Sequence, residues 1–257
     1  MAPITSVTFD LWQTLLLDNR ELGRARAQVR LDGAQTALKS WGKEFDIEHV
    51  REAYRLCYRQ CHKIREENLD VSFREQVEMF INNIQPGLVG ELDEETIQEI
   101  IRTYSDSFFV YPPVPHTDAL VVLRDTKSMG LSIGLISNTG MTPGYTFRKY
   151  LDQQGMLEYF DILTFSDEVK LAKPSNEIFQ LTLRSMGTSP GLTAHVGDHV
   201  QNDVVGAKLC GLKTIWITGF YENENPSNPN SQPDVTVSDL GMVVPALAKL
   251  ADRATLA

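Results

Sequence analysis

Six polar residues follow short apolar runs in this chain: Asp10 after ITSVTF, Ser137 and Asn138 after LSIGLI, Lys173 beyond FDILTF, and Asp198 and Asp203 after TAHV. Short apolar runs bounded by turn residues read as buried strands. In open parallel sheets ligands bind beyond the carboxyl ends of the strands, so these residues are candidates for one shared site. Their types suit two tasks. A carboxylate such as Asp10 can attack an electrophilic centre and split one difficult displacement into two easier ones. Clustered carboxylates can also hold a hard cation, and Mg2+ is usually bound by one or two of them together with substrate oxygens and water. Lys173 would add a compact positive charge to balance Asp10 and any anionic group brought against it.

The elements that must position these residues alternate along the chain. After ITSVTF, the runs LSIGLI, FDILTF, TAHV and KTIWIT (before Gly219) are separated by helix-length stretches. That order predicts an α/β fold, a doubly wound parallel sheet covered on both faces. From about residue 20 to 110 the pattern changes to a 3.6-residue period with almost no strand signal, as in IEHVREAYRLCYRQCHKIREENL and DEETIQEIIRTYSDSFF. Residues 20–110 therefore read as an inserted helical cap, and residues 1–19 and 111–257 as the core. The stiff segment Tyr111-Pro112-Pro113-Val114-Pro115 marks the return. Tyr221 to Pro233 reads as a polar loop without assignable chemistry.

Composition narrows the classes further. With 42% hydrophobic and 23% charged residues the chain is that of an ordinary globular protein, and no apolar run approaches a membrane span. A net charge of −10 argues against attraction to nucleic acid or an anionic membrane. Three scattered cysteines do not make a disulfide framework and suit a reducing compartment, and the N-terminus lacks the pattern of a secretory signal, so the expected location is cytoplasmic. The expected assembly is a monomer or homodimer.

Taken singly, a strand-end aspartate is an ordinary helix cap and a loop lysine an ordinary solvated group. In this order the set resembles the haloacid dehalogenase superfamily, most of whose members are magnesium-dependent phosphohydrolases. Asp10-Leu11-Trp12-Gln13-Thr14 matches that family's first motif except at its second acid, Ser137 the second motif, Lys173 in AKPSNEIF the third, and GDHVQND, with Asp198 and Asp203, the fourth. The resemblance covers Asp10 to Leu240 and places the helical cap between the first two motifs. It implies that Asp10 attacks phosphorus to form an aspartyl-phosphate. It also implies that Mg2+ is held by Asp10, the Trp12 backbone carbonyl and Asp198, with Asp203 contributing directly or through water. Leu11, Trp12, Ser137, Asn138 and Lys173 would then bind the transferring phosphate of a small phosphorylated metabolite. Gly197 is expected to let the backbone turn tightly after its strand.

Trp12 is the departure from the family pattern. In the family's phosphatases the residue at this position protonates the leaving oxygen and then activates water, help typically worth 10²- to 10⁴-fold. Indole donates a hydrogen bond but does not titrate usefully. Three readings follow. The first is a phosphatase acting on a good leaving group, or borrowing an acid-base group from the cap or from His199. The second is a metal-independent 2-haloacid dehalogenase, since that branch has an aromatic residue here and a halide needs no proton. The third is a weakly active or non-catalytic binder of a phosphorylated ligand. The dehalogenase branch has a Ser-Ser-Asn type sequence where this chain has Val196-Gly197-Asp198, and an aspartate there makes sense chiefly beside a cation. Trp12 can also serve simply as an aromatic anchor at the junction of cap and core.

Other features are weaker. Arg51, Arg55, Arg59 and Lys63 form a basic stripe and Arg20, Arg24, Arg26 and Arg30 a basic cluster; either could grip a second anionic group or pair with acids such as Glu66 and Glu67. Cys57, Cys61 and His62 do not complete a haem or zinc motif, and the two thiols read as ordinary buried cysteines. His49, His116 and His195 carry no motif.

Overall fold

The computed structural model describes residues 3–218 and 231–252. Gly219 and residues 221–230 of the polar loop lie outside them. Eight strands are described: β1 (Ser6–Phe9), β2 (Leu16–Leu17), β3 (Val114–Pro115), β4 (Ser132–Ser137), β5 (Ile162–Phe165), β6 (Thr193–Gly197), β7 (Lys213–Ile217) and β8 (Val235–Val237). Six of them form one sheet in the order β5-β4-β1-β6-β7-β8, with every neighbouring pair parallel. The five expected apolar runs supply β1 and β4–β7. The edge strand β8 is an addition, three residues long and too short to give a periodic signal.

Both faces of the sheet are covered, as its nearly continuous apolar strands require. On one face Ile133, Leu135 and Val196 pack with residues of α6 (Ala119–Ser128), α7 (Gly144–Gln153) and α11 (Val243–Asp252). On the other, Ile136 packs against Ile178, Phe179 and Leu183 of α9 (Asn176–Met186) and Ala207 of the short α10 (Gly206–Leu209). A further single turn, α8 (Ser166–Val169), follows β5.

Between β2 and β3 the chain forms α1 (Arg20–Trp41), α2 (Ile47–Glu66), α3 (Phe73–Ile84), α4 (Leu88–Glu91) and α5 (Glu94–Val110). The sequence punctuates them: Asn19, Asp46 and Asp93 cap the starts of α1, α2 and α5, and Ser72 and Glu75 form a reciprocal capping box on α3. These helices bury a cluster of their own, with Leu38, Val50, Cys57, Cys61, Val77, Phe80 and Tyr104 at its centre. Cys57 and Cys61 are free thiols in this cluster. Among the described residues no helix is long and apolar enough to cross a membrane.

The chain enters and leaves the helical segment side by side, because Leu16 and Leu17 pair antiparallel with Pro115 and Val114. Phe108 of α5 sits at this junction, fully buried, with ring centroids 6.3 Å from Trp12, 5.3 Å from Phe147 and 5.2 Å from Tyr150. Edge-on aromatic contacts of this kind add to the energy of burial. Phe108→Ala is expected to destabilise the protein by about 3–5 kcal/mol, read as a lower urea midpoint at unchanged denaturant slope.

Candidate active site

The site forms where β1, β4 and β6 end. Asp10 is the first residue after β1, and its backbone N–H donates to Val196 O at 2.8 Å, which carries the sheet pairing one residue further and fixes the carboxyl at the sheet's edge. Lys173 reaches between two acids, its Nζ lying 2.5 Å from Asp10 Oδ1 and 2.6 Å from Asp203 Oδ1. All three groups are buried. Burial alone would pull the Lys173 ammonium down, but Asp10 and Asp203 outweigh it and hold the group charged. Burial pushes Asp10 up to about 6, with Lys173 opposing and Asp203 adding to the rise.

Asn138 does a job that residue type alone does not reveal. Its side-chain Nδ2 donates to Lys173 O at 2.9 Å and its Oδ1 accepts from Lys173 N at 2.8 Å. The amide therefore clamps the lysine loop. Ser137 ends β4 fully buried, its Oγ 3.5 Å from Asn138 O.

Asp203 is held from three sides. Its Oδ1 receives Lys173 and lies 3.2 Å from His195 Nε2, and its Oδ2 accepts the His199 backbone N–H at 3.0 Å. Although burial would raise its pKa, the Lys173 and His195 contacts keep this carboxyl well below the ordinary range. With both oxygens engaged, Asp203 is an anchor for Lys173 more than a free ligand. Gly197 makes this packing possible: a Cβ there would lie 2.3 Å from Asp203 Cγ. The glycine is thus required for close approach, not for the tight turn expected from its position, since its φ lies outside the left-handed region. From Val200 to Val205 the chain winds as a π-helical turn, a form frequent at functional sites.

Asp198 is different. Its backbone is anchored by Trp216 Nε1, which donates to Asp198 O at 2.8 Å. Its carboxyl is 4% exposed, and Oδ2 is buried without a hydrogen-bond partner. Burial, with Asp10 and Asp203 nearby, pushes it up to about 9. An unpartnered buried carboxylate oxygen is costly. A cation would remove that cost, and ligand oxygens of Asp10, Asp198 and Asp203 all lie within 4.8 Å of one another. The donor set is all oxygen and anionic, as a hard cation requires.

Trp12 turns its indole into the aromatic junction, 5.3 Å from the Phe147 ring centroid and with the Arg26 guanidinium 5.9 Å away. Thr14, given no role above, is buried with Oγ1 3.5 Å from Asp10 Oδ2. Four of the eight basic residues are engaged inside the protein or along their own helix. Arg26 pairs with Asp18, while Arg30 is buried over the Tyr104 ring and donates to Tyr54, Ser107 and Thr142. Arg51 and Arg55 pair with Glu48 and Glu52 on the outer face of α2.

A cleft of about 1020 Å³ reaches the cluster at Lys173, with Asn138, Lys173 and His199 on one side and His62, Arg65 and Asn68 of the helical segment on the other; Asp10, Asp198 and Asp203 do not line it. His199 accepts the Asn202 N–H at its Nδ1, 3.3 Å away. The helical side is tied down at this edge: Asp70 N donates to Lys170 O at 3.1 Å, Ala172 N to Asn68 O at 3.0 Å, and Arg65 Nη2 to Gly140 O at 2.7 Å.

The chain is similar to known proteins. The chain is 32% identical over 146 residues to a phosphoserine phosphatase of Thermus thermophilus, a match covering 55% of each chain. It therefore spans about half the length of that relative. It is 30% identical over 173 residues to a glyceraldehyde 3-phosphate phosphatase of Methanocaldococcus jannaschii, covering 66% of this chain and 72% of the relative. Among solved structures, a 2-haloacid dehalogenase from Pseudomonas syringae pv. Tomato DC3000 superimposes with a TM-score of 0.65 at 19% identity, over 96% of this chain and 100% of that one, a likeness of fold alone. The family model for haloacid dehalogenase-like hydrolases matches residues 4–211, and together with the parallel sheet, the four strand-end motifs and the carboxylate–lysine cluster this shows that the chain belongs to that family of hydrolases.

Proposed function

We propose that the protein is a magnesium-dependent phosphohydrolase of small phosphorylated metabolites, with Asp10 as nucleophile. The observation that carries this reading is Asp198: a buried acid with an unpartnered oxygen beside two further carboxylates is explained by a cation and has no use in a metal-free dehalogenase. The names of the two curated relatives, both phosphatases of small phosphate esters, support the substrate class.

In this reading Asp10, Asp198 and the Trp12 carbonyl hold Mg2+, which supplies charge neutralisation between a carboxylate and an approaching phosphate. An Asp10 oxygen attacks phosphorus as the bond to the leaving oxygen breaks, and water then cleaves the aspartyl-phosphate to inorganic phosphate. Lys173, fixed by Asn138 and Asp203, stabilises charge on the transferring group, and Ser137 and the Asn138 N–H hold its oxygens. Residues 20–110 act as a cap over the core formed by 1–19 and 111–257 and exclude water from the cleft. The three reduced, buried cysteines fit work in the cytoplasm.

Because Trp12 cannot donate a proton to the leaving oxygen, acyl phosphates should be hydrolysed far faster than alkyl phosphates. Phosphate and halide release with Mg2+ or EDTA, measured on acetyl phosphate, p-nitrophenyl phosphate, an alkyl phosphate and 2-chloropropionate, tests this directly. Mg2+-dependent phosphate release that disappears in Asp10→Asn is expected. Metal-independent chloride release would instead establish a dehalogenase, and equal rates on acyl and alkyl phosphates would refute the leaving-group argument.

The carboxylate cluster predicts a pH dependence of stability as well. Asp198 has a folded pKa near 9 against an ordinary 3.8, so the folded state binds the extra proton and the metal-free protein loses stability as pH rises between these values. The slope should approach about 1.4 kcal/mol per pH unit at most. In EDTA, Asp198→Asn should flatten this slope, and Mg2+ should raise the melting temperature of the wild type but not of the variant.

A further inference from the structure

His195 lies in the middle of β6, 1% exposed, directly opposite Thr8 of β1 in the sheet register. A four-residue apolar run has no packing need for an imidazole, and this one is fully embedded: the Phe179 ring stands edge-on to it with centroids 5.1 Å apart. Its two nitrogens face different partners. Nδ1 is 2.8 Å from Thr8 Oγ1, and Nε2 is 3.2 Å from Asp203 Oδ1.

The partners decide where the proton sits. An ionised carboxylate only accepts, so Nε2 must carry the hydrogen. A neutral imidazole has one N–H, which leaves Nδ1 as an acceptor for the Thr8 hydroxyl. A second cation here would have to share Asp203 Oδ1 with the Lys173 ammonium, 2.6 Å from that oxygen. The result is a directed chain: Thr8 O–H to His195 Nδ1, His195 Nε2–H to Asp203 Oδ1, and Lys173 between Asp203 and Asp10.

We infer that His195 is a positioning residue of the active site, locked by Thr8 as the Nε2–H tautomer so that it fixes the Asp203 carboxylate and, through it, aims Lys173 at Asp10. His195 reaches neither substrate nor the reacting atoms. Without its N–H, Asp203 is held only by the His199 backbone and Lys173, and the lysine can follow the carboxylate away from Asp10. The cost falls on the chemical step, where Lys173 must meet developing charge, more than on ground-state binding. This inference rests on the reading of Asp10 and Lys173 as the reacting pair, but the placement of the proton does not.

The test has two arms on the full-length protein. Long-range proton–nitrogen NMR of the 15N-labelled wild type should show His195 protonated at Nε2 alone, and Thr8→Val should disturb that signal while the fold persists. A doubly protonated or Nδ1–H ring would overturn the inference. In steady-state kinetics with Mg2+ and p-nitrophenyl phosphate, His195→Leu should lose about tenfold or more in kcat with KM within about twofold, and His195→Gln, which can present an N–H at the Nε2 position, should recover most of it. Equal activity of the Leu variant and wild type, or a Gln variant no better than Leu, would also overturn it. If the wild type releases no phosphate from any ester, the phosphohydrolase reading fails, and the NMR arm still decides whether the tautomer is as assigned.

Discussion

A buried ammonium shared by two buried carboxylates organises this molecule's working end. Removing three charges from water is expensive, and such a cluster persists only where geometry is held closely and remaining hydrogen-bonding capacity is met. The fold meets both conditions with backbone: β1 and β6 fix Asp10, the Asn138 amide clamps the Lys173 peptide groups, and Gly197 lets Asp203 approach the strand end. Asp198 is the exception, carrying an oxygen for which the protein provides no partner. The strain of the site is therefore concentrated at one atom, and that atom points to what the site binds.

On the side of this cluster the helical segment meets the rest of the chain through polar contacts. Asp70 accepts the Ser166 hydroxyl at 2.5 Å, Ser166 in turn accepts Thr139 N at 2.9 Å, and Arg65 bridges Asp70 to the Gly140 carbonyl. The loop after Ser137 touches the end of α2 through Arg65, and the loop before Lys173 touches the stretch between α2 and α3. Apolar contact is concentrated at the other side, around Trp12, Phe108 and Phe147. One edge is therefore polar and specific in direction, the other apolar.

Much of this was legible in the amino-acid order. Alternating apolar runs announced the parallel sheet, and the polar residues at their ends lie where the topology converges. What could not be read were relations set by tertiary contact. Nothing in TAHV marks His195 as facing Thr8, because register between distant strands is invisible to local pattern. The dual bonding of the Asn138 amide to Lys173 depends on a separation of 35 residues closing in space. The glycine of Gly197 read as a turn residue because that is its commonest use, whereas its need arises from the acid six residues on. The basic cluster is open from sequence for a related reason: spacing shows charge and admits either an anion grip or internal pairing, and tertiary contacts show that Arg26 and Arg30 spend theirs internally.

The pairing of Leu16 and Leu17 with Pro115 and Val114 has a consequence for how such a chain can vary. It closes the helical segment at its base, so the sheet sees only a narrow neck however many residues lie beyond it. The entropy of closing a loop rises slowly, by about 0.6 kcal/mol for each doubling of length. A segment so tethered can lengthen, shorten or be exchanged at little cost to the sheet, provided the neck is kept. The strand-end cluster and the helical segment can then change at different rates within one polypeptide.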